Sequence, residues 1–467
     1  MTTLCEKLAD LALGTTAGQI DPLALERAQM VLASTFASAA AGYGIESTRI
    51  LRGLELADGG AARATVWFAG RKLPLRAAAR LNAVASDAAA SDDSDLRSIA
   101  HIGTVVTAVS VAVAETTGAS GEALLAAMVT GYEVAGRIDE SLTPGRMQRG
   151  FHGSVSTVFG GVVAGGRLLG LARPEMARAI ALAATSIGGM AMAADTSCAR
   201  EFHAGLAAAT AVNALLAAQA GFQAELAVLE SPRGFLQAMG AQDIDAITAG
   251  WGESWDILTD MAVKLMPGAH PFHATAEAAA HAGAAARAQA GEGPGLNLDD
   301  IEKIEISAAV QWTHFKGDPH PRNLVDAAHS LAYFVAAAVA DGAFGWQHMD
   351  VEKMADPAIA ALQDRIVFDP APPPLPDRFP HRHGGAVTIT MNHGAQYRAE
   401  CRSPRGSGPR GVSWADIGDK FHRLMPACGM DDIAIALCLE RIGRLPQADR
   451  IDRLVESMRI ADAFSAR

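Results

Sequence analysis

The sequence is short of aromatic residues, of clustered positive charge and of the compact signatures that mark many catalytic folds. Phe, Trp and Tyr make up 5% of the chain. The five cysteines, Cys5, Cys198, Cys401, Cys428 and Cys438, are odd in number and form no CxxC pair. A disulfide framework or structural zinc site is therefore not expected, and a reducing cytoplasm fits. No long Lys/Arg run occurs and the formal net charge is −12. The basic patch that a phosphate-backbone binder needs is missing, so nucleic acid is not an expected partner. The longest apolar stretches, such as Ile180–Ala194, carry Ala, Gly, Thr and Ser and read as buried helices rather than membrane spans. The N-terminal MTTLCEKLADLALG has acids early and no secretory pattern. HExxH, a Walker loop and a GxSxG elbow are absent, and no convincing GxGxxG follows a strand.

What is there is small and apolar. Half of the 467 residues are hydrophobic, mainly Ala, Leu, Val and Ile, beside 46 glycines. Small side chains let helix backbones approach closely, which suggests a tightly packed helical core. Asp21-Pro22 opens a helix through about residue 41. Further helices are expected over Thr104–Thr117, Gly121–Arg137, Ser154–Leu171, Pro174–Ala194 and His203–Gly221, most with Gly at their ends. The pattern changes near residue 265. Ile301–Val310 partly alternates, as a half-buried strand does. Ala386–Met391, the turn Asn392-His393-Gly394 and Gln396–Arg402 read as a hairpin. Helices are expected near His273–Ala290 and Asp326–Asp341, and the Pro-rich Asp369–Arg382 reads as an extended loop. Ser413, with Asp416 three residues on, caps a last helical region. The expected architecture is mainly α: a large all-helical domain over 1–265, a smaller inserted α+β domain over 266–402, and C-terminal helices over 403–467 that return to the first.

An acidic protein must capture an anionic metabolite with local cations, so the few internal Arg, Lys and His carry weight. Four clusters stand out. Ala85–Gly103 (ASDAAASDDSDLRSIAHIG) gathers acids, an Arg and His101 before an apolar helix; it is either an acidic helix start or one wall of a pocket. Arg146–Ser154 (RMQRGFHGS) puts Arg146, Arg149 and His152 at a helix N-terminus, an anion site or a solvated loop. Cys198–Gly205 (CAREFHAG) spaces Arg200 and His203 for one helix face, where His203 is either a ligand contact or a satisfied core histidine. Val263–His273 (VKLMPGAHPFH) sets Lys264 before a Pro-Gly turn and His270 and His273 after it. Lys264 is either a base with a lowered pKa or a surface lysine. No acid or Cys nearby completes a zinc pattern there.

In this order and with these separations the clusters resemble the MmgE/PrpD family. The Asp-rich segment ending in His101 resembles its D-D-T-H…H-P-G stretch, and GYEVAGRI (Gly131–Ile138) its G-Y-E-V helix. GFHGSVSTVFGGVVAGGRLLGL (Gly150–Leu171) resembles its G-[FW]-H-P segment. REFHAG (Arg200–Gly205) resembles [KR]-x-[LF]-H-x-G. VLESPRGFL (Val228–Leu236), VKLMPGAHPFHATAEA (Val263–Ala278), DAAHSLAYF (Asp326–Phe334) and WADIGDKF (Trp414–Phe421) extend the match over nearly the whole chain. Ser94-Asp95 stands where the family has Thr-His, His101-Ile102-Gly103 replaces H-P-G, and His152 is followed by Gly.

The resemblance implies a helical large domain plus a smaller α+β domain, a homodimer, and chemistry with no metal or organic cofactor. Members act as 2-methylcitrate dehydratase, cis-aconitate decarboxylase or iminodisuccinate epimerase. Their common step makes or quenches a carbanion-like centre beside a carboxylate. Carried over by position, Lys264, His101, His152 and Asp93 would do catalytic work. Arg149, Arg146, Arg200, His203, His270 and His273 would hold substrate, with either of the last two reaching the site. Arg200 falls where the decarboxylases have a lysine, and an Arg is a fixed cation and a poor base. The expectation is a cytoplasmic, dehydratase-like lyase of a small di- or tricarboxylic acid. The alternatives are an epimerase of an iminodisuccinate-like dicarboxylate and a non-catalytic dicarboxylate-binding member.

Overall fold

The computed structural model describes residues 2–97, 99–185, 188–289, 296–308, 318–372, 384–408 and 410–460. The chain divides into two compact units, Met1–Val263 with Ser413–Arg467, and Lys264–Val412.

The first unit is built from helices whose boundaries follow from local chemistry. In α1 (Pro22–Gly42) the Asp21 carboxylate accepts the Leu23 N–H and proline occupies the first turn, where its missing N–H costs nothing. A second helix, α2, spans Leu75–Ala88. Next, α3 (Ile102–Thr117) is buried on every face from Ile102 through Ala114 and ends at Gly118 in the left-handed region. Ser120 caps α4 (Gly121–Leu142). This helix runs five residues past the expected end at Arg137, because nothing in 138–142 breaks it before Pro144. The small-residue helix α5 (Ser154–Leu169) packs on α3 and α4. At the α4–α5 crossing, a Cβ on Gly131 would lie 2.6 Å from the Gly160 carbonyl oxygen. The two glycines are what let these backbones meet.

The single helix expected over Pro174–Ala194 is two. Helix α6 (Arg173–Ala184) stops, and a short turn of helix, Ala191–Thr196, follows. Between them Gly189 has φ +133°, a conformation that side chains resist, and a Cβ there would lie 2.4 Å from Ser154 Oγ. Helix α7 (Ala199–Gln219) begins four residues before the expected His203, which puts Arg200 and His203 on one helix. It packs on α2 and α5. No helix among the described residues is long and apolar enough to cross a membrane.

The second unit is a four-stranded sheet with helices. Strands β1 (Ile301–Ala308), β2 (Ile366–Phe368), β3 (Gly385–Met391) and β4 (Gln396–Cys401) are ordered β2-β1-β3-β4. The β1–β2 pair is parallel, with Ile304 opposite Ile366, while β1–β3 and β3–β4 are antiparallel. Gly394, φ +87°, turns the β3–β4 hairpin. Residues 309–310 of the expected first strand, and 373–382 of the expected Pro-rich loop, lie outside the described residues. Helix α8 (His273–Gln289) packs on β3, β4 and α9 (Leu331–Asp341). The expected Asp326–Asp341 helix is interrupted: Leu324–Ala328 is a separate turn, and the Ser330 side chain caps α9 by accepting the Tyr333 N–H at 3.3 Å. Ile304, Ile306, Val387, Ile389, Phe272 and Phe334 share this unit's core.

The last segment returns to the first unit. Ser413 and Asp416 form a capping box at the start of α10 (Trp414–Leu424), which packs on α1. The Trp414 indole N–H donates to Glu26 at 2.9 Å.

Candidate functional site

Between α2 and α3 the chain makes a loop whose polar side chains are buried, from Ser91 through Asp95. Buried polar groups need partners, and those partners organise the site. Asp93 Oδ2 accepts the Tyr132 hydroxyl at 2.7 Å and the Gly103 N–H at 3.2 Å. Burial pushes the Asp93 carboxyl above its ordinary value despite the Tyr132 hydrogen bond. Asp92 Oδ2 takes the Thr104 hydroxyl at 2.7 Å and lies 2.9 Å from His101 Nδ1. The same Nδ1 is 3.0 Å from the Asp93 carbonyl oxygen. Both neighbours of Nδ1 are acceptors, so Nδ1 carries the proton and Nε2 is the basic nitrogen.

Three imidazoles follow in a row. The His101 and His152 ring centroids are 6.1 Å apart and nearly parallel; His152 and His203 are 5.7 Å apart. His152 is fixed by its backbone: its N–H donates to the Gly189 carbonyl at 2.9 Å. Its Nδ1 accepts the Ser154 N–H at 3.4 Å, which leaves the ring proton on Nε2. Burial, then the neighbouring charges of His101, Arg146, His203 and Arg200, hold the His152 pKa well below the ordinary imidazole value. His152 is thus a neutral N–H donor. Burial also lowers His203, against the pull of Asp87.

The arginines are spoken for in different ways. Arg200 Nε is 3.2 Å from the Asp87 carboxylate, and its Nη2 donates to the Asp87 carbonyl at 2.7 Å. Burial opposes its charge, but Asp87, Glu201 and Asp92 outweigh that and raise its pKa. It is a permanent cation beside the histidine row. Arg146 is buried and grips both oxygens of Asp139, at 2.8 and 3.0 Å, while Nη1 donates to the Phe151 carbonyl at 3.2 Å. That fork fixes the backbone just before His152. Arg149 is exposed and donates to the Gln237 carbonyl at 3.1 Å.

Beneath the loop lies a cluster of buried acids. Arg97 pairs with Asp260 and Glu140 and lies 3.7 Å from Asp256, and its backbone N–H donates to Asp95 at 2.8 Å. Glu133 pairs with Arg137 and accepts the Asp256 N–H at 2.6 Å. Burial, then the like charges of Asp260 and Asp139, push the Asp95 carboxyl up to about 7. Burial raises Asp256 well above its ordinary value and raises Glu133 too.

Within the first unit the structure therefore brings together Asp93, His101, His152, Arg200 and His203. Lys264, His270 and His273 are buried in the second unit. There the His270 and His273 rings meet edge to face at 4.9 Å, and His273 stacks on Phe334 at 6.2 Å. Among the described residues, Asp87, Asp92 and His101 have ligand atoms within 4.8 Å of one another. Arg200 already lies on Asp87 and Thr104 on Asp92, so the protein supplies its own cation at that point. Sequence reasoning passed over Asp92, Asp87, Tyr132 and Lys420. The signals were present: Tyr132 and Lys420 sit in GYEVAGRI and WADIGDKF, two of the segments singled out.

Comparison with known proteins adds an independent line. The family model for the MmgE/PrpD N-terminal domain matches residues 6–246, and that for the MmgE/PrpD C-terminal domain matches residues 270–440. The chain is 25% identical over 412 residues to a mouse cis-aconitate decarboxylase, covering 86% of this chain and 83% of that protein. It is 24% identical over 429 residues to the human cis-aconitate decarboxylase, covering 90% and 87%. An Aspergillus terreus cis-aconitate decarboxylase is 25% identical over 294 residues, 58% of each chain.

Proposed function

The chain belongs to the MmgE/PrpD family, and from that premise we propose that it is a lyase that moves protons beside a carboxylate of a small di- or tricarboxylic acid. The observation that carries this is the unlike state of two neighbouring imidazoles. His101 presents a basic Nε2 with a carboxylate behind its other nitrogen, which stabilises the imidazolium formed when the ring takes a proton. His152 is held neutral with its ring proton on Nε2, fit to hydrogen-bond a developing negative charge or a departing hydroxyl. Arg200 supplies the fixed positive charge that draws a carboxylate in. Lys264 is a second candidate base, on the strength of its place before the Pro-Gly turn.

We favour loss of water over loss of carbon dioxide. The relatives are named as decarboxylases, but Arg200 is bound to Asp87 and holds its proton, so it cannot act as an acid or base. The test is incubation of 2-methylcitrate, cis-aconitate and related polycarboxylates in deuterated water, read by NMR and by carbon dioxide release. Alkene formation with loss of water supports the proposal. Carbon dioxide release reassigns the leaving group. Deuterium entering beside a carboxylate without an alkene marks epimerisation. A raised melting temperature without consumption marks a binding protein. His101→Ala and His152→Ala should each lower turnover by about 10²–10⁴-fold. Full turnover in both variants overturns the assigned roles.

A further inference from the structure

The buried lysine of the C-terminal return, Lys420, has no part in the scheme so far, yet it reaches the back of the site. It is 2% exposed, and α10 carries it into the first unit between α1 and the site loop. Its Nζ donates to Ser34 Oγ at 2.8 Å and to the Ser91 carbonyl oxygen. Ser91 is the residue before Asp92, whose carboxylate holds His101 Nδ1.

We infer that Lys420 is a positioning residue of this site: its ammonium pins the Ser91 carbonyl so that Asp92 holds His101 correctly turned, and its charge offsets the carboxylates behind His101, which by themselves favour the imidazolium. The charge count around His101 supports this. From the loop, Asp92 and Asp93 face it, and from α2 comes Asp87. His152 stands beside it, and α7 contributes Arg200, with His203 one ring further along the row. Burial and Asp92 push Asp93 toward its neutral form, against the pull of Tyr132 and His101. Glu201 and Asp195, the other acids near Arg200, are also pushed up by burial, and Arg146 is paired with Asp139. That leaves two carboxylates, Asp87 and Asp92, against two fixed cations, Arg200 and Lys420. With Lys420 discharged, the pocket carries an excess negative charge, and His101, bonded to Asp92, takes up a proton more readily to cancel it. A protonated His101 has no lone pair with which to act as a base.

This rests on His101 being the base, and the test is chosen to read His101 without any substrate. The histidine ring signals of the full chain, selectively isotope-labelled, are titrated by NMR, with His101→Gln identifying the resonance. Lys420→Met and Lys420→Gln remove the charge; Gln keeps hydrogen-bond donors toward Ser34 and Ser91. Lys420→Arg keeps the charge. We expect the His101 midpoint to rise by on the order of one pH unit in the Met and Gln variants, and to stay within a few tenths in the Arg variant. Where turnover is measurable, the acid limb of kcat/KM should move up by the same amount. An unmoved His101 midpoint in folded Lys420→Met overturns the inference. So does rescue by Lys420→Gln as complete as by Lys420→Arg, which would leave only a hydrogen-bonding role. If Lys420→Met does not fold, Lys420→Gln decides. Absence of turnover on every acid tried would count against the proposed reaction and leave the titration to stand or fall alone.

Discussion

Replacing Asp95 by asparagine probes the buried acids that hold up the site loop. Asp95 is 2% exposed, with Asp256, Asp260 and Glu133 also buried around it. Its carboxyl is lifted from an ordinary 3.8 to about 7 by burial, then by Asp260 and Asp139. Because the folded pKa is above the unfolded one, the folded state binds the extra proton between those values. The stability this group contributes is fully present below about pH 4 and is lost as pH rises through about 7. Each pKa unit is worth about 1.4 kcal/mol, so the full lift sets an upper bound of about 4 kcal/mol. Asp95 also hydrogen-bonds Asp256. One proton then serves both carboxyls, and about 2 kcal/mol is a fairer figure for Asp95 alone. Asparagine has the same shape and can still accept the Arg97 N–H, but it carries no charge. Asp95→Asn should therefore raise the melting temperature at pH 8 by roughly 3–4 °C and by roughly a third of that at pH 5. The assay is differential scanning calorimetry across pH 4.5–8.5, roughly the window over which carboxyls of this kind titrate. A wild-type melting temperature that does not fall over this range, or an equal loss in Asp95→Asn at both ends, would refute the reasoning.

Other outcomes follow from contacts already described. Asp92→Asn keeps the shape behind His101 but removes the negative charge, so turnover should fall by about 10²–10⁴-fold with KM little changed; steady-state kinetics checks it. In Gly131→Ala the new methyl meets the Gly160 carbonyl oxygen at 2.6 Å and Ala164 Cβ at 2.8 Å. The expected loss is about 1–3 kcal/mol by urea unfolding, even though alanine is the better helix former. In Gly103→Ala the Cβ would fall 2.2 Å from Asp93 Oδ1 and 2.7 Å from Val31 Cγ1. It should both lower the melting temperature and disturb the Asp93–Tyr132 hydrogen bond, seen as reduced activity out of proportion to the stability loss.

Much of the helical frame could be read from local chemistry. Asp21-Pro22, Gly118, Ser413 with Asp416 and the Gly394 turn each act through a few neighbouring backbone groups, and the fold uses them as expected. Where reading failed, a tertiary or backbone fact decided the matter. Ile180–Ala194 looks continuous in hydropathy, yet the helix stops at Ala184, and at Gly189 the backbone passes close to Ser154 and His203. Ser330 was counted as a helix interior when it is a cap. The small parallel strand β2 is three residues long and depends on its neighbour for its existence. The site behaves the same way. Arg146 and Arg200 look alike in sequence, but Asp139 takes one wholly into the framework while Asp87 holds the other beside the histidines. Asp92 and Asp93 are adjacent, and the sequence singles out only Asp93. Their opposite side-chain directions give one to His101 and the other to Tyr132, and nothing in a run of acids announces which is which.

The return of the chain from 413 onward bears on how the protein is made. Translation is vectorial: the aspartates of the site loop leave the ribosome first, and Lys420 arrives, at about 5–20 residues per second, only after the whole second unit has been synthesised. Through that interval the loop lacks the ammonium that lies against Ser91 in the finished structure, and α1 lacks the helix that covers it. Closing the first unit is therefore a late event in biosynthesis. The hydrogen bonds from Lys420 to Ser34 and Ser91 can form only when the tail docks.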